Sequence, residues 1–140
     1  MTEQARAVRR FVERRPPRRP RRTGGYIVAA GKGGVGTSTT ALLLALAARS
    51  DGPVVLVDAH AGLSGLDRMM AIADTGDDEG VRTAGVADGL TLVYDARPDA
   101  VTRAPARRAA LRRAARIDED ATVIVDAGAH PASVLEAMTD

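Results

Sequence analysis

Three observations predict an α/β sandwich built on a parallel sheet. Short apolar runs of strand length recur at residues 26–30, 54–58, 90–94 and 122–126. Helix-length segments at 39–49 and 105–117 lie between them, and a last helix is expected to start near Pro131. The runs VVLVD and TVIVD are β-branched and continuous rather than alternating, as in strands covered on both faces. Strands divided by helical crossovers pair parallel, so about four parallel strands with flanking helices are expected.

The elements follow in order. Residues 1–22 carry nine arginines against Glu3 and Glu13, and Pro16, Pro17 and Pro20 forbid a continuing helix. Residues 1–23 are therefore read as a disordered basic tail, and 24–140 as the folded domain. Such a tail serves as a solubilising arm or linker, or contacts nucleic acid or an anionic surface. The first strand is bounded by glycines, and the helix after it ends in the polar turn Ser50-Asp51-Gly52. Residues 74–89 (DTGDDEGVRTAGVADG) are acidic, glycine-rich and without period, and read as a surface loop. The helix at 105–117 has proline in its first turn, a favoured place. It carries Arg108, Arg112 and Arg116 in one stripe with Arg107 and Arg113 beside them, while its alanines and Leu111 take the other side. That stripe reads as a solvated face or as a contact for a polyanion.

Composition narrows the chemistry. At 140 residues the chain is about one domain. Apolar residues make up 45% but aromatics only 2%, so the core is built from small aliphatic side chains. The absence of cysteine excludes disulfides, zinc–thiolate sites and iron–sulfur clusters. The apolar run at 41–48 is too short to cross a bilayer, and no apolar segment follows the N-terminal charges. A soluble cytoplasmic protein is the expectation. Beyond the tail, 11 basic and 16 acidic side chains leave a mildly anionic body.

Between the first strand and the first helix lies GKGGVGTSTT. Holding a phosphate requires backbone N–H groups turned inward and a helix N-terminus aimed at the anion. Gly31, Gly33, Gly34 and Gly36 give clearance and unusual dihedrals at the junction where that geometry belongs. Tight packing without a ligand is the other reason for such a turn. Thr37 stands where an ordinary phosphate loop has its lysine, but Lys32 occupies the second position.

The order K-G-G-x-G-x-[S/T], from Lys32 to Ser38, resembles the deviant phosphate loop of the ParA/MinD family of dimeric P-loop ATPases. VVLVDAHAGLSGLDRMM resembles the strand and D-x-D-x-G-L-x-N-L-D segment of the MinD and FlhG branch. Asp58, Gly62, Leu63, Leu66 and Asp67 agree, and His60 replaces the second aspartate. TVIVDAGAH resembles the Walker B strand with its turn. The resemblance covers residues 25–140 and implies a P-loop NTPase-like sandwich. Family members are longer, so it also implies a fold shortened at its C-terminal half, without the strands that finish the sheet and the adenine pocket.

The resemblance further implies ATP and Mg²⁺ as cofactors. Gly33, Gly34, Val35, Gly36, Thr37, Ser38 and Thr39 would hold the nucleotide, and Ser38, Asp58 and Asp126 the metal. Lys32 would be the catalytic lysine, reaching across a dimer to the partner's phosphates. Threonine at 37 deletes a charge worth about 2–4 kcal/mol of barrier, and His60 cannot place the attacking water as an aspartate does, although His60 also fits a purely structural role. Slow or absent hydrolysis is expected; an active ATPase in which Lys32 compensates is the other outcome. A similar lysine-free loop occurs in the TadZ/CpaE branch, which localises secretion and pilus machinery. The expected function is a nucleotide-binding positioning or partition factor, as a homodimer or with a partner chain completing the sheet. The alternative is a degenerate half-domain that binds no nucleotide and engages a partner or DNA through its tail.

Overall fold

The computed structural model describes residues 24–60, 65–72, 80–95 and 103–139. Five strands are formed there: β1 (Gly25–Ala29), β2 (Val54–Asp58), β3 (Val81–Ala87), β4 (Leu90–Asp95) and β5 (Thr122–Gly128). Four helices accompany them: α1 (Thr37–Ala48), α2 (Leu66–Met69), α3 (Arg103–Ile117) and α4 (Pro131–Thr139). The sheet order is β1-β5-β2-β4-β3, parallel throughout except for the β3–β4 pair. The expected α/β architecture with a mainly parallel sheet is therefore present.

The sheet is one strand larger than expected. Residues 81–87, read as loop, form β3, an antiparallel edge strand joined to β4 through Asp88-Gly89. Gly89 has φ +73°, which the tight turn requires and glycine adopts without a steric penalty. The acidic segment preceding it and the basic tail lie outside the described residues. The first helix also starts two residues earlier than expected, at Thr37, so Thr37 and Ser38 belong to its first turn.

Two apolar layers cover the sheet. On one face α1 lays Ala41 and Ala45 against Val54, Leu56, Leu90, Leu92 and Ile124. On the other, Ala110 and Ala114 of α3 and Val134 of α4 pack on Val55, Val57, Val93 and Val125. Alanines at spacing four bring each helix close to the sheet, which is how a chain with so few large side chains closes its core. Arg108, Arg112 and Arg116 are exposed on α3. No described helix is long and apolar enough to cross a membrane.

Candidate functional site

The parallel strands all run the same way, so their C-terminal ends share one rim, where open α/β sheets hold ligands. Three segments of the sequence meet on that rim although they lie far apart in the chain. Asp58 ends β2 and is in register with Asp126 of the neighbouring β5. β1 flanks β5 on the other side, and the Ala30 N–H donates to the Gly128 carbonyl at 2.9 Å. The glycine loop thus leaves the sheet tied to the turn that follows Asp126.

Residues Gly31, Lys32, Gly33, Gly34, Val35 and Gly36 are all exposed; Thr37 and Ser38 are half-buried, and Thr39 is exposed. Gly34 and Gly36 have φ of +76° and +85°, so their backbone accounts for glycine at both positions. Gly31 and Gly33 have neither explanation. Their φ values are not in the left-handed region, and a Cβ built on either would meet nothing within 4 Å. Packing among the described residues thus gives no reason for glycine there. Gly36 also precedes α1 without a side-chain cap, and no acidic residue occupies the first turn. The first N–H groups of that helix have no helical partner.

The two rim carboxylates differ in their surroundings. Asp58 Oδ1 accepts from the His60 N–H at 3.1 Å and Oδ2 from the Leu66 N–H at 2.8 Å, so this side chain braces the turn and the start of α2. Burial raises the Asp58 carboxyl from 3.8 to about 7; the Leu66 N–H opposes the rise and the Asp126 charge adds to it. Asp126 is wholly buried; its Oδ1 accepts from the Gly128 N–H at 3.0 Å, and its Oδ2 has no partner among the described residues. A buried carboxylate oxygen left unpaired carries a desolvation penalty that a cation or a donor would relieve.

His60 is half-buried beside them, with its Nδ1 buried and without a partner among the described residues. Its imidazole lies where a Cβ of Gly128 would be, and Gly128 has φ +55°. The side chain fills the corner between two strand ends.

Among the described residues no group of three or more His, Cys, Asp or Glu side chains is placed to hold a metal. A protein-only cage is thereby absent from them. Mg²⁺ does not need one, because it commonly takes one or two carboxylates together with phosphate oxygens and water. Asp58 and Asp126 are the carboxylates that the register of β2 and β5 brings side by side on this rim.

Three features were not read from the sequence. Arg107, read as lying beside the arginine stripe, donates from Nε to the Ala59 carbonyl at 3.2 Å and pins the turn after Asp58. Its offset of one residue from Arg108, Arg112 and Arg116 was the available signal. A Cβ on Gly65 would meet Asp67 Oδ1, so that side chain would have to shift to admit one. Gly128 is needed for His60. No protein-family model matches the chain, and no curated protein matches it.

Proposed function

We propose that this protein binds a nucleoside triphosphate, ATP with Mg²⁺, in the loop 31–39, and that it belongs with the ParA/MinD-like P-loop proteins that position cellular structures. The observation that carries the reading is the pair of loop glycines, Gly31 and Gly33, for which neither the backbone nor packing among the described residues gives a reason. A polyphosphate lying against the loop would supply one, since its close approach leaves no room for side chains. The unpaired Asp126 oxygen on the same rim supports a cation accompanying that anion. Thr37 and His60 remain in place of a lysine and an aspartate, so ATP acts mainly as a ligand that drives dimerisation through Lys32, with little turnover.

Calorimetry of the full chain with MgATP tests this. The expected result is saturable heat that falls on Lys32→Ala and disappears on Gly36→Asp. Absence of heat up to millimolar nucleotide, with folded protein, rejects the reading.

A second reading has its own observation. A groove of about 940 Å³ between α3 and the β3 edge is lined by Arg108, Arg112, Arg113 and Arg116, and Arg113 Nε donates to Thr83 Oγ1 at 2.6 Å. A nucleotide-independent module that holds a polyanion there and through residues 1–22 would bind nucleic acid with a steep salt dependence. Affinity that ignores salt, or that is undetectable, counts against it.

A further inference from the structure

Among the described residues two buried side-chain atoms lack a hydrogen-bond partner, His60 Nδ1 and Asp126 Oδ2. Gly128 touches both side chains. Its N–H donates to Asp126 Oδ1 at 3.0 Å, and a Cβ built on it would fall on His60 Nδ1, 2.5 Å from Cε1 and 2.7 Å from Cγ. That position is nearest to Nδ1 and almost equally far from the two atoms bonded to it. The Gly128 methylene therefore meets the ring head-on at this nitrogen.

The contact decides where the imidazole keeps its hydrogen. A neutral ring has one N–H and one bare nitrogen. A hydrogen on Nδ1 would be driven into the Gly128 methylene, whereas a lone pair fits against it. Turning the ring over gives no relief, because the Cδ2–H would then take the same place. The hydrogen bonding agrees with the sterics. A donor at Nδ1 would have an open carboxylate oxygen in the same corner, yet no bond joins His60 to Asp126. Two acceptors cannot satisfy each other, and that accounts for both atoms being unpartnered.

We infer that Gly128 fixes His60 as the tautomer with Nδ1 bare and the hydrogen on Nε2, and that this Nε2–H donates to an anionic oxygen of the ligand on the rim, a phosphate oxygen of the nucleotide. The tautomer stands on contacts within the chain; the donor role rests on the nucleotide reading. Nε2 lies on the side of the ring away from Gly128 and is not among the buried unpartnered atoms. The backbone beneath it is held at three points. The His60 N–H donates to Asp58 Oδ1 at 3.1 Å, the Ala59 N–H to the Asp126 carbonyl at 3.0 Å, and the Ala59 carbonyl accepts from Arg107 Nε at 3.2 Å. A donor on so braced a turn is preorganised.

The consequence is a reversal of hydrogen-bonding sense. A carboxylate, which the resemblance puts at position 60, only accepts, so it can align the hydrogens of a water or take one. An Nε2–H only donates. It is of no use as a base and adds a bond to an oxyanion, which is strengthened by the acceptor's charge. His60 thus turns this corner from placing water to holding phosphate, in keeping with slow turnover.

Two-bond ¹H–¹⁵N correlation spectra of the ¹⁵N-histidine-labelled full chain test the tautomer. They are recorded at about pH 8, above the ordinary imidazole range. The chain has two histidines, and His130 is exposed, so it supplies the averaged reference, and His130→Gln assigns the signals. The expected pattern for His60 is a single bare-nitrogen shift at Nδ1 and an N–H shift at Nε2. A protonated Nδ1, or averaging like that of His130, overturns the tautomer. Calorimetry with MgATP tests the donor. His60→Asn keeps a polar atom at the Nδ1 place but ends short of Nε2, and affinity should fall about tenfold or more. His60→Gln carries an amide N–H out to the level of Nε2 and should restore most of that loss, with circular dichroism confirming that both variants are folded. Equal losses in the two variants overturn the donor role. A wild-type chain that gives no heat rejects the nucleotide reading and the donor role with it, while the spectra decide the tautomer on their own.

Discussion

The imidazole of His60 occupies the space that a side chain on Gly128 would require, locking the end of β2 to the turn after β5. Gly128 also has φ +55°, where an L-residue is strained. Gly128→Ala should therefore destabilise the fold by about 2–4 kcal/mol through clash and strain together. Urea unfolding measures this. His60→Ala in the same chain should recover part of the loss, and strictly additive effects would show that the two residues do not interact.

Stability should fall as pH rises from about 4 to about 7. The Asp58 carboxyl is raised from 3.8 to about 7 by burial, so in that window the folded chain holds a proton that the unfolded chain has released. The contribution is fully present below 3.8 and lost as pH passes through about 7, with a span on the order of a few kcal/mol. Asp58→Asn lowers stability by disturbing two backbone hydrogen bonds but should remove this slope. Denaturation midpoints across that range provide the check, and an unchanged slope in the variant would assign it to another group.

Close helix seating should be sensitive to volume. Ala110 is buried between α3 and the sheet, so Ala110→Leu is expected to cost about 1–3 kcal/mol by overpacking. Ala115, exposed on the same helix, should accept leucine within about 0.5 kcal/mol. Equal losses at the two positions would contradict the observed packing.

Thr37→Lys places an ammonium on the first turn of α1, where the proposed reading lacks its usual phosphate contact. Phosphate release with MgATP should rise by about a hundredfold, with His60 still limiting the rate. Unchanged turnover alongside normal nucleotide binding would mean that position 37 is not at the phosphates.

The sequence made local features legible and hid those that depend on topology. β2 and β5 declare themselves through continuous β-branched runs, and α1, α3 and α4 are legible as helices whereas the four-residue α2 is not; the loop glycines declare themselves through their place between strand and helix. β3 was missed because Ala84, Gly85 and Ala87 have weak strand preference, although Asp88-Gly89 is a hairpin signal. The register of Asp58 with Asp126 follows from β5 inserting between β1 and β2, which chain order does not state. The unlike roles of the two aspartates are visible only in their partners. Both end apolar strands in the sequence, yet one is spent on bracing a turn and the other keeps an oxygen unpaired.

The position of β5 also governs how the protein can be made. β5 leaves the ribosome after β1, β2, β3 and β4, yet among the described residues it is the hydrogen-bonded neighbour of β1 and the link from β1 to β2. At about 5–20 residues per second, the first strand and its leucine-rich helix wait roughly 5–20 s for residues 122–128 to emerge. During that interval β1 lacks the β5 partner it has in the folded sheet, which makes the emerging chain a client for holdase chaperones and a target for proteases until β5 slides into the middle.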